Sequence, residues 1–228
     1  MRGEIEGVAF DLDGTLYPNY RLNIKLLPFA LKEWRLLTAF GKARNIIRKK
    51  YDNSAIPRSG FYDHQAEITA EILGVPPRPL KEKIDLLIYK GWEPVFKKVR
   101  PFENAANTLA ALRKAGFKLG LLSDFPPETK LDNLNLSGYW DAVLCSEQCG
   151  ALKPNPLSFI ELAAAMSLPC EKILYVGNSL PYDVAGAQRA GMKTAWIKGP
   201  LSPGAGKNKP IPDFTFSDYR KLYDYMIN

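Results

Sequence analysis

Residues 5–16, IEGVAFDLDGTL, join an apolar run to a turn that carries two carboxylates. The apolar residues 5–10 predict a short buried strand, and Asp11-Leu12-Asp13-Gly14 predicts the sharp turn that ends it. Two carboxylates two residues apart can share one site, where one is a nucleophile or metal ligand and the other handles protons. An Asp-Gly pair is also common in ordinary turns, so this segment alone leaves both interpretations open.

Beyond residue 100, apolar runs alternate with helical patterns. Strands are predicted over residues 117–122, 142–145, 173–176 and 193–197, with helices between them. Such alternation predicts an α/β fold, with a parallel sheet and helices on both of its faces. The first strand cannot form a sheet alone, so it must pair with strands that follow much later in the chain.

A helical segment separates the first strand from the others. Helices are predicted over residues 23–50, 61–73 and 79–96, because apolar residues such as Leu27, Leu31 and Trp34 recur at steps of three and four. Residues 17–98 contain sixteen Lys or Arg against eight Asp or Glu, whereas the rest of the chain contains fifteen against sixteen. Basic charge can attract anions, including nucleic acid, but the basic run over residues 44–50 is interpreted as a solvated helical face.

The composition is that of an ordinary packed protein, with 46% hydrophobic and 24% charged residues and a net charge of +7. Three cysteines in 228 residues argue against a secreted disulfide framework. The acidic start of the chain is wrong for a signal peptide, and no apolar run approaches the ~20 residues of a membrane span. We therefore expect a soluble, cytoplasmic protein without a membrane partner.

Three further polar motifs follow predicted strands. Ser123-Asp124 offers a hydroxyl and backbone N–H groups for a phosphate oxygen, although such a pair also suits a helix N-cap. Lys153, in a proline-bounded turn, can neutralise a phosphate and an aspartate together. Asn178 and Asp183 follow the fourth strand and offer oxygen ligands for magnesium, although Asp183 also suits the first turn of a helix. One edge of the sheet would collect all of these groups.

The order of these motifs resembles that of the haloacid dehalogenase superfamily. The order is Asp-x-Asp-Gly-Thr-Leu, Ser-Asp, Gly-x-x-Lys-Pro-x-Pro and Gly-x-Ser-x-x-x-Asp, and the resemblance covers nearly the whole chain. The helical insert marks the subgroup with an α-helical cap, which includes phosphoglycolate phosphatases. The resemblance implies a Rossmann-like core over residues 1–16 and 99–228, and an α-helical cap domain over residues 17–98.

The resemblance also implies a chemistry for the first motif. Asp11 would be the nucleophile and a magnesium ligand. Asp13 would be the general acid and base, and its backbone carbonyl would bind the metal. Dehalogenases of this superfamily lack a carboxylic acid at the position of Asp13, so a phosphatase of small phosphate monoesters, working through an aspartyl-phosphate, is preferred.

The other motifs would complete the site. Ser123, Asp124 and Lys153 would bind the phosphate, with Ser123 and Lys153 also counted as catalytic. Asn178 and Asp183 would bind magnesium. Asn178 departs from the pattern of the superfamily, which usually has an aspartate there, so we expect weaker magnesium affinity. Two alternatives stay open: a phosphomutase or other phosphoryl transferase, and a catalytically impaired phosphate-binding protein.

The substrate is expected to be a small anionic phosphometabolite. Tyr20 and Arg21, at the start of the insert, lie close to the site in the chain and are candidate substrate contacts. Binding of nucleic acid is disfavoured, because no nucleic-acid motif accompanies the basic charge. The sequence does not predict the oligomeric state.

Overall fold

A single parallel sheet organises the protein. The computed structural model describes residues 4–91, 93–199 and 209–227. The strands in these ranges are β1 (Gly7–Phe10), β2 (Lys118–Ser123), β3 (Ala142–Cys145), β4 (Ile173–Gly177), β5 (Lys193–Ile197) and β6 (Phe214–Phe216). They lie in the order β3-β2-β1-β4-β5-β6, and every neighbouring pair is parallel. The predicted fold class is confirmed.

Strand β1 lies between β2 and β4, with Phe10 opposite Leu121 on one side and Val176 on the other. All four of its residues are buried, as expected for a parallel strand covered on both faces. The chain order reverses at this strand, since β2 and β3 lie to one side and β4 to β6 to the other. Such a switch point opens a crevice at the carboxyl ends of the strands.

Helices cover both faces of the sheet. The helices in the described ranges are α1 (Asn19–Lys32), α2 (Trp34–Lys50), α3 (Phe61–Leu73), α4 (Pro77–Ile84), α5 (Glu93–Phe96), α6 (Ala105–Lys114), α7 (Glu128–Asn133), α8 (Pro156–Ala165), α9 (Ala185–Arg189) and α10 (Tyr219–Ile227). Alternation along β1 places Phe10 in one buried cluster, with Leu109 of α6 and Leu222 of α10, and Ala9 in the other, with Phe159 of α8. In the described part of the chain, no helix is both long and apolar enough to cross a membrane.

The insert between β1 and β2 has a hydrophobic cluster of its own. Its buried members come from α2, α3, α4 and the π-helical segment Asp85–Lys90, and they are Leu36, Phe40, Ala66, Ala70, Leu80, Ile84 and Ile88. Near the two ends of the insert, Leu22 and Phe96 pack instead in a cluster of the sheet. We propose that residues 17–98 form the cap domain and residues 1–16 and 99–228 the core.

The first predicted helix of the insert is two helices. Residues 23–50 were expected to be continuous, but Glu33 has a non-helical backbone (φ −106°, ψ 23°) and separates α1 from α2. Leu27, Leu31 and Trp34 are 55%, 70% and 61% exposed. The apolar periodicity therefore identified helical structure correctly without marking a buried face.

The sequence did not predict the C-terminal elements β6 and α10. β6 has only three residues, too few for alternation to be recognised. The Phe214 and Tyr225 rings stack with centroids 4.0 Å apart, which joins the two elements. The predicted loop over residues 200–212 lies outside the described residues as far as position 208.

Candidate active site

Asp11 directly follows β1 and is 4% exposed. Its backbone N–H donates to the Val176 carbonyl at 2.9 Å, which continues the β1–β4 pairing by one residue. The Lys153 ammonium donates to Oδ1 at 2.7 Å, and the Thr15 hydroxyl donates to Oδ2 at 2.8 Å. Both carboxylate oxygens are therefore held in place at the centre of the sheet edge.

Lys153 is shared between two buried carboxylates. Its Nζ lies 2.7 Å from Oδ1 of Asp11 and 2.7 Å from Oδ1 of Asp183. Burial alone would lower the pKa of Lys153, but the two aspartates hold it well above its usual value. Burial raises the pKa of Asp11 to about 7 despite the opposing effect of Lys153. Lys153 therefore offsets only part of the cost of burying the Asp11 carboxylate, and a further cation beside it would be favourable.

Asp13 occupies a more open position than Asp11. Lys130 Nζ lies 2.7 Å from each of its carboxylate oxygens, and the Tyr17 hydroxyl donates to Oδ1. Lys130 belongs to α7, which follows the Ser123-Asp124 motif. Neither partner was assigned to Asp13 from the sequence, and no motif marks Lys130.

Gly14 is required by both its backbone and its surroundings. Its φ of +90° lies in the left-handed region, which disfavours residues with a Cβ. A Cβ there would lie 2.3 Å from Nδ2 of Asn178 and 2.6 Å from Nδ2 of Asn19. The turn thus brings the side-chain amides of Asn19 and Asn178 against the backbone that follows Asp13.

The oxygen atoms around this turn suit a hard divalent cation. The Thr15 hydroxyl, which donates to Asp11, also lies 3.5 Å from Oδ1 of Asn178. Asn19 donates through Nδ2 to the Asp13 carbonyl at 3.2 Å, and its Oδ1 is buried without a hydrogen-bond partner. Magnesium prefers oxygen ligands, which include carboxylates, carbonyl oxygens and waters. Asp11, the Asp13 carbonyl and Asn178 could therefore hold the ion.

The predicted magnesium site has fewer carboxylates than the superfamily pattern implies. Among the described residues, no group of three or more His, Cys, Asp or Glu side chains is placed to hold a metal. Both oxygens of Asp183 are already bonded, Oδ1 to Lys153 and Oδ2 to the Ser179 N–H at 2.9 Å. Direct ligation by Asp183 stays a prediction, and its observed contacts instead position Lys153.

Restoring the carboxylate should strengthen metal binding. We expect Asn178→Asp to tighten magnesium binding by roughly tenfold, since affinity rises with the number of charged ligands. Calorimetric titration and the magnesium concentration at half-maximal activity would both measure this change. Asn107→Asp adds the same charge on the exposed surface of α6 and is the matched control. Equal magnesium requirements in the Asn178→Asp variant and the unmodified protein would contradict the idea.

Ser123 is the last residue of β2, which pairs with β1, and Asp124 follows it. Ser123 is fully buried, and its Oγ accepts the Phe125 N–H at 3.2 Å. Asp124 accepts from Arg48 at 2.7 Å and has Arg44 at 3.3 Å. Although burial opposes its charge, these arginines hold the pKa of Asp124 well below its usual value. Its predicted phosphate contact stays a prediction, and it would use the backbone rather than this neutralised carboxylate.

The interpretation of residues 44–50 as a solvated face is wrong for two arginines. Arg44 is 5% exposed and donates to Glu147 and, at 3.2 Å, to Gln65. Arg48 donates through Nε to the Lys153 carbonyl at 2.8 Å. Residues buried between the insert and the core cannot be separated from solvated neighbours by sequence alone. Through these arginines α2 is bonded to the loops that carry Asp124 and Lys153.

The structure does not test the two predicted substrate contacts at the start of the insert, Tyr20 and Arg21. Tyr20 lies in the first turn of α1 and is 49% exposed. The side chain of Arg21 lies outside the described residues. Both assignments stay predictions.

Asp11 and Lys153 therefore lie at the switch point of a parallel sheet, which is where proteins of the open α/β class bind their ligands. Residues 5–191 match the family described as haloacid dehalogenase-like hydrolase, and the chain belongs to this family.

The chain is similar in sequence to two phosphatases and in fold to a dehalogenase. A glyceraldehyde 3-phosphate phosphatase of Methanopyrus kandleri is 29% identical over 97% of each chain. A phosphoglycolate phosphatase of Aquifex aeolicus is 29% identical over 97% of this chain and 96% of that protein. The crystal structure of an L-2-haloacid dehalogenase superimposes with a TM-score of 0.67 and 21% identity, covering 99% of this chain and all of the other. The last likeness concerns the fold alone.

Proposed function

We propose that this protein is a magnesium-dependent phosphatase that hydrolyses small phosphate monoesters through an aspartyl-phosphate on Asp11. One observation carries the proposal: the Asp11 carboxylate is fixed by Lys153 and Thr15 at the carboxyl end of the central strand. The names of the two phosphatase relatives support it. The dehalogenase fold is compatible with either chemistry, and the acid at Asp13 favours phosphate ester hydrolysis.

The chain supplies the steps of such a reaction. An oxygen of Asp11 attacks phosphorus, the ester bond breaks, and Asp13 gives its proton to the departing oxygen. A water then attacks the phosphoryl group, and Asp13 takes a proton from that water. The bond between phosphorus and the Asp11 oxygen breaks, which releases phosphate and restores Asp11. Lys153 and the hydroxyl of Ser123 would steady the phosphoryl oxygens during both steps. Magnesium would offset the repulsion between the nucleophile and the anionic substrate.

Phosphate release from p-nitrophenyl phosphate, with and without magnesium, tests this function. We expect turnover that disappears on chelation with EDTA and returns with millimolar magnesium, because Lys153, the cation that is paired with Asp11, is shared with Asp183. A panel of phosphometabolites would follow. A folded protein without turnover on any ester at any magnesium concentration would contradict the proposal and favour the phosphate-binding protein. Turnover that requires an acceptor sugar phosphate would favour the phosphomutase.

A further inference from the structure

A cavity of about 230 Å³ lies between the insert and α7. We call it the Phe96–Phe125 cavity. Its lining residues are Ile88, Tyr89, Lys90, Phe96, Phe125, Pro126, Glu128, Thr129 and Lys130.

Three lining residues connect this cavity to the proposed catalytic groups. Lys130 bonds both carboxylate oxygens of Asp13 at 2.7 Å. The Phe96 ring packs edge-on against Tyr17, whose hydroxyl donates to Asp13. The backbone N–H of Phe125 donates to Ser123 Oγ. The cavity therefore adjoins the side of the site where Asp13 would protonate the departing oxygen.

The walls of the cavity are mainly apolar and aromatic. Rings of Tyr89 and Phe125 lie 6.1 Å apart and are tilted by 58°. The Lys130 ammonium lies 5.1 Å from the centroid of Phe96 and 5.4 Å from that of Phe125, so it is held against both rings. Aromatic walls with a few placed polar groups are typical of sites for organic ligands with a flat apolar part.

The size of the cavity argues against a very small occupant. At about 230 Å³, it has space for several water molecules. A two- or three-carbon polar fragment would leave much of it unfilled and would leave its aromatic walls without an apolar partner. A six-membered ring with one or two substituents matches both the volume and the walls.

We propose that the Phe96–Phe125 cavity binds the leaving group of the substrate, and that it selects phosphate monoesters whose leaving group is an aromatic or similarly flat apolar ring. This inference rests on the proposed phosphatase function. The ring lies among Tyr89, Phe96 and Phe125, with its ester oxygen towards Asp13. Lys130 is a positioning residue between the ring and the Asp13 carboxylate.

Direct binding of two phosphonates tests the cavity without relying on turnover. Phenylphosphonate and methylphosphonate carry the same charged group and differ only in the ring. We expect phenylphosphonate to bind more tightly by about 10- to 100-fold, as burial of one ring implies. Binding would be measured calorimetrically with magnesium, and kcat/KM for phenyl phosphate would be compared with that for 2-phosphoglycolate.

A variant that fills the cavity provides the second arm. Thr129→Trp should lower the preference for phenylphosphonate over methylphosphonate by at least about tenfold. The control Thr215→Trp, on the exposed side of strand β6, should leave this preference unchanged. Equal binding of the two phosphonates would overturn the inference, as would a Thr129→Trp variant that retains the whole preference. If phenylphosphonate binds preferentially but no ester is hydrolysed, the ring pocket stands and the phosphatase proposal fails. If 2-phosphoglycolate is hydrolysed but the two phosphonates bind equally, the phosphatase proposal stands and the ring pocket fails.

Discussion

Replacing Asp11 with asparagine is expected to lower kcat for phosphate ester hydrolysis by about 10⁴- to 10⁶-fold, the range seen when a catalytic nucleophile is removed. An amide cannot form the acyl phosphate, so the loss should persist at any magnesium concentration. The single amide oxygen can keep the bond from Lys153, and the Thr15 hydroxyl can accept from the amide N–H in place of donating to Oδ2. Steady-state kinetics with p-nitrophenyl phosphate would measure the loss, and rapid acid quench of the unmodified enzyme would trap the labelled acyl phosphate.

The control for this experiment is Asp218→Asn, which makes the same chemical change at a carboxylate that is paired with exposed Arg220. It should retain full activity. Thermal unfolding should show that both variants are folded. Substantial turnover in Asp11→Asn, or a phosphoryl group trapped on another residue, would show that Asp11 is not the nucleophile.

Lys153→Met should have the second largest effect on activity, and it should also lower the stability of the fold. Loss of a positioned charge beside the phosphoryl group should lower kcat by about 10²- to 10³-fold. It should also lower the free energy of unfolding by about 3–5 kcal/mol, because Asp11 and Asp183 are left buried without their shared cation. Urea unfolding at neutral pH would measure the second effect.

Two further variants separate these causes. Lys172→Met breaks a partly exposed pair with Glu6, at 3.4 Å, and should cost no more than about 1 kcal/mol. Adding Asp183→Asn to Lys153→Met removes one of the two buried carboxylates that have lost their cation. The double variant should recover part of the stability without recovering activity. If Lys153→Met unfolds at the same urea concentration as the unmodified protein, the shared ion pair does not stabilise the fold.

The sequence predicted those features that depend on strand periodicity and chain order. Apolar runs located β1 to β5, and parallel strands with motifs at their carboxyl ends implied that Asp11 and Lys153 meet, although 142 positions separate them. Helix α3 begins and ends where its pattern predicted. These features follow from local patterns combined with one topological rule, so a single sequence suffices.

Contacts between the insert and the core could not be predicted in this way. Arg44 and Lys130 resemble their solvated neighbours in sequence. Contact between the insert and the core buries Arg44, and the fold of the core itself brings Lys130 to Asp13. Asp183 stays a predicted metal ligand, and its bonds to Lys153 and to a backbone N–H were not predicted. Side-chain partners of this kind depend on rotamers and distances that sequence periodicity does not contain.

The central position of β1 has a consequence for the order in which the chain is made. Residues 7–10 leave the ribosome well before their neighbours in the sheet, which are residues 118–121 and 173–176. At ~5–20 residues per second, this apolar segment waits about 5–20 s for its first partner. The helices of the insert rely on contacts close in sequence and can form during that interval. We therefore expect the nascent chain to depend on chaperones most strongly before β2 emerges, with the N-terminal segment as the part they protect.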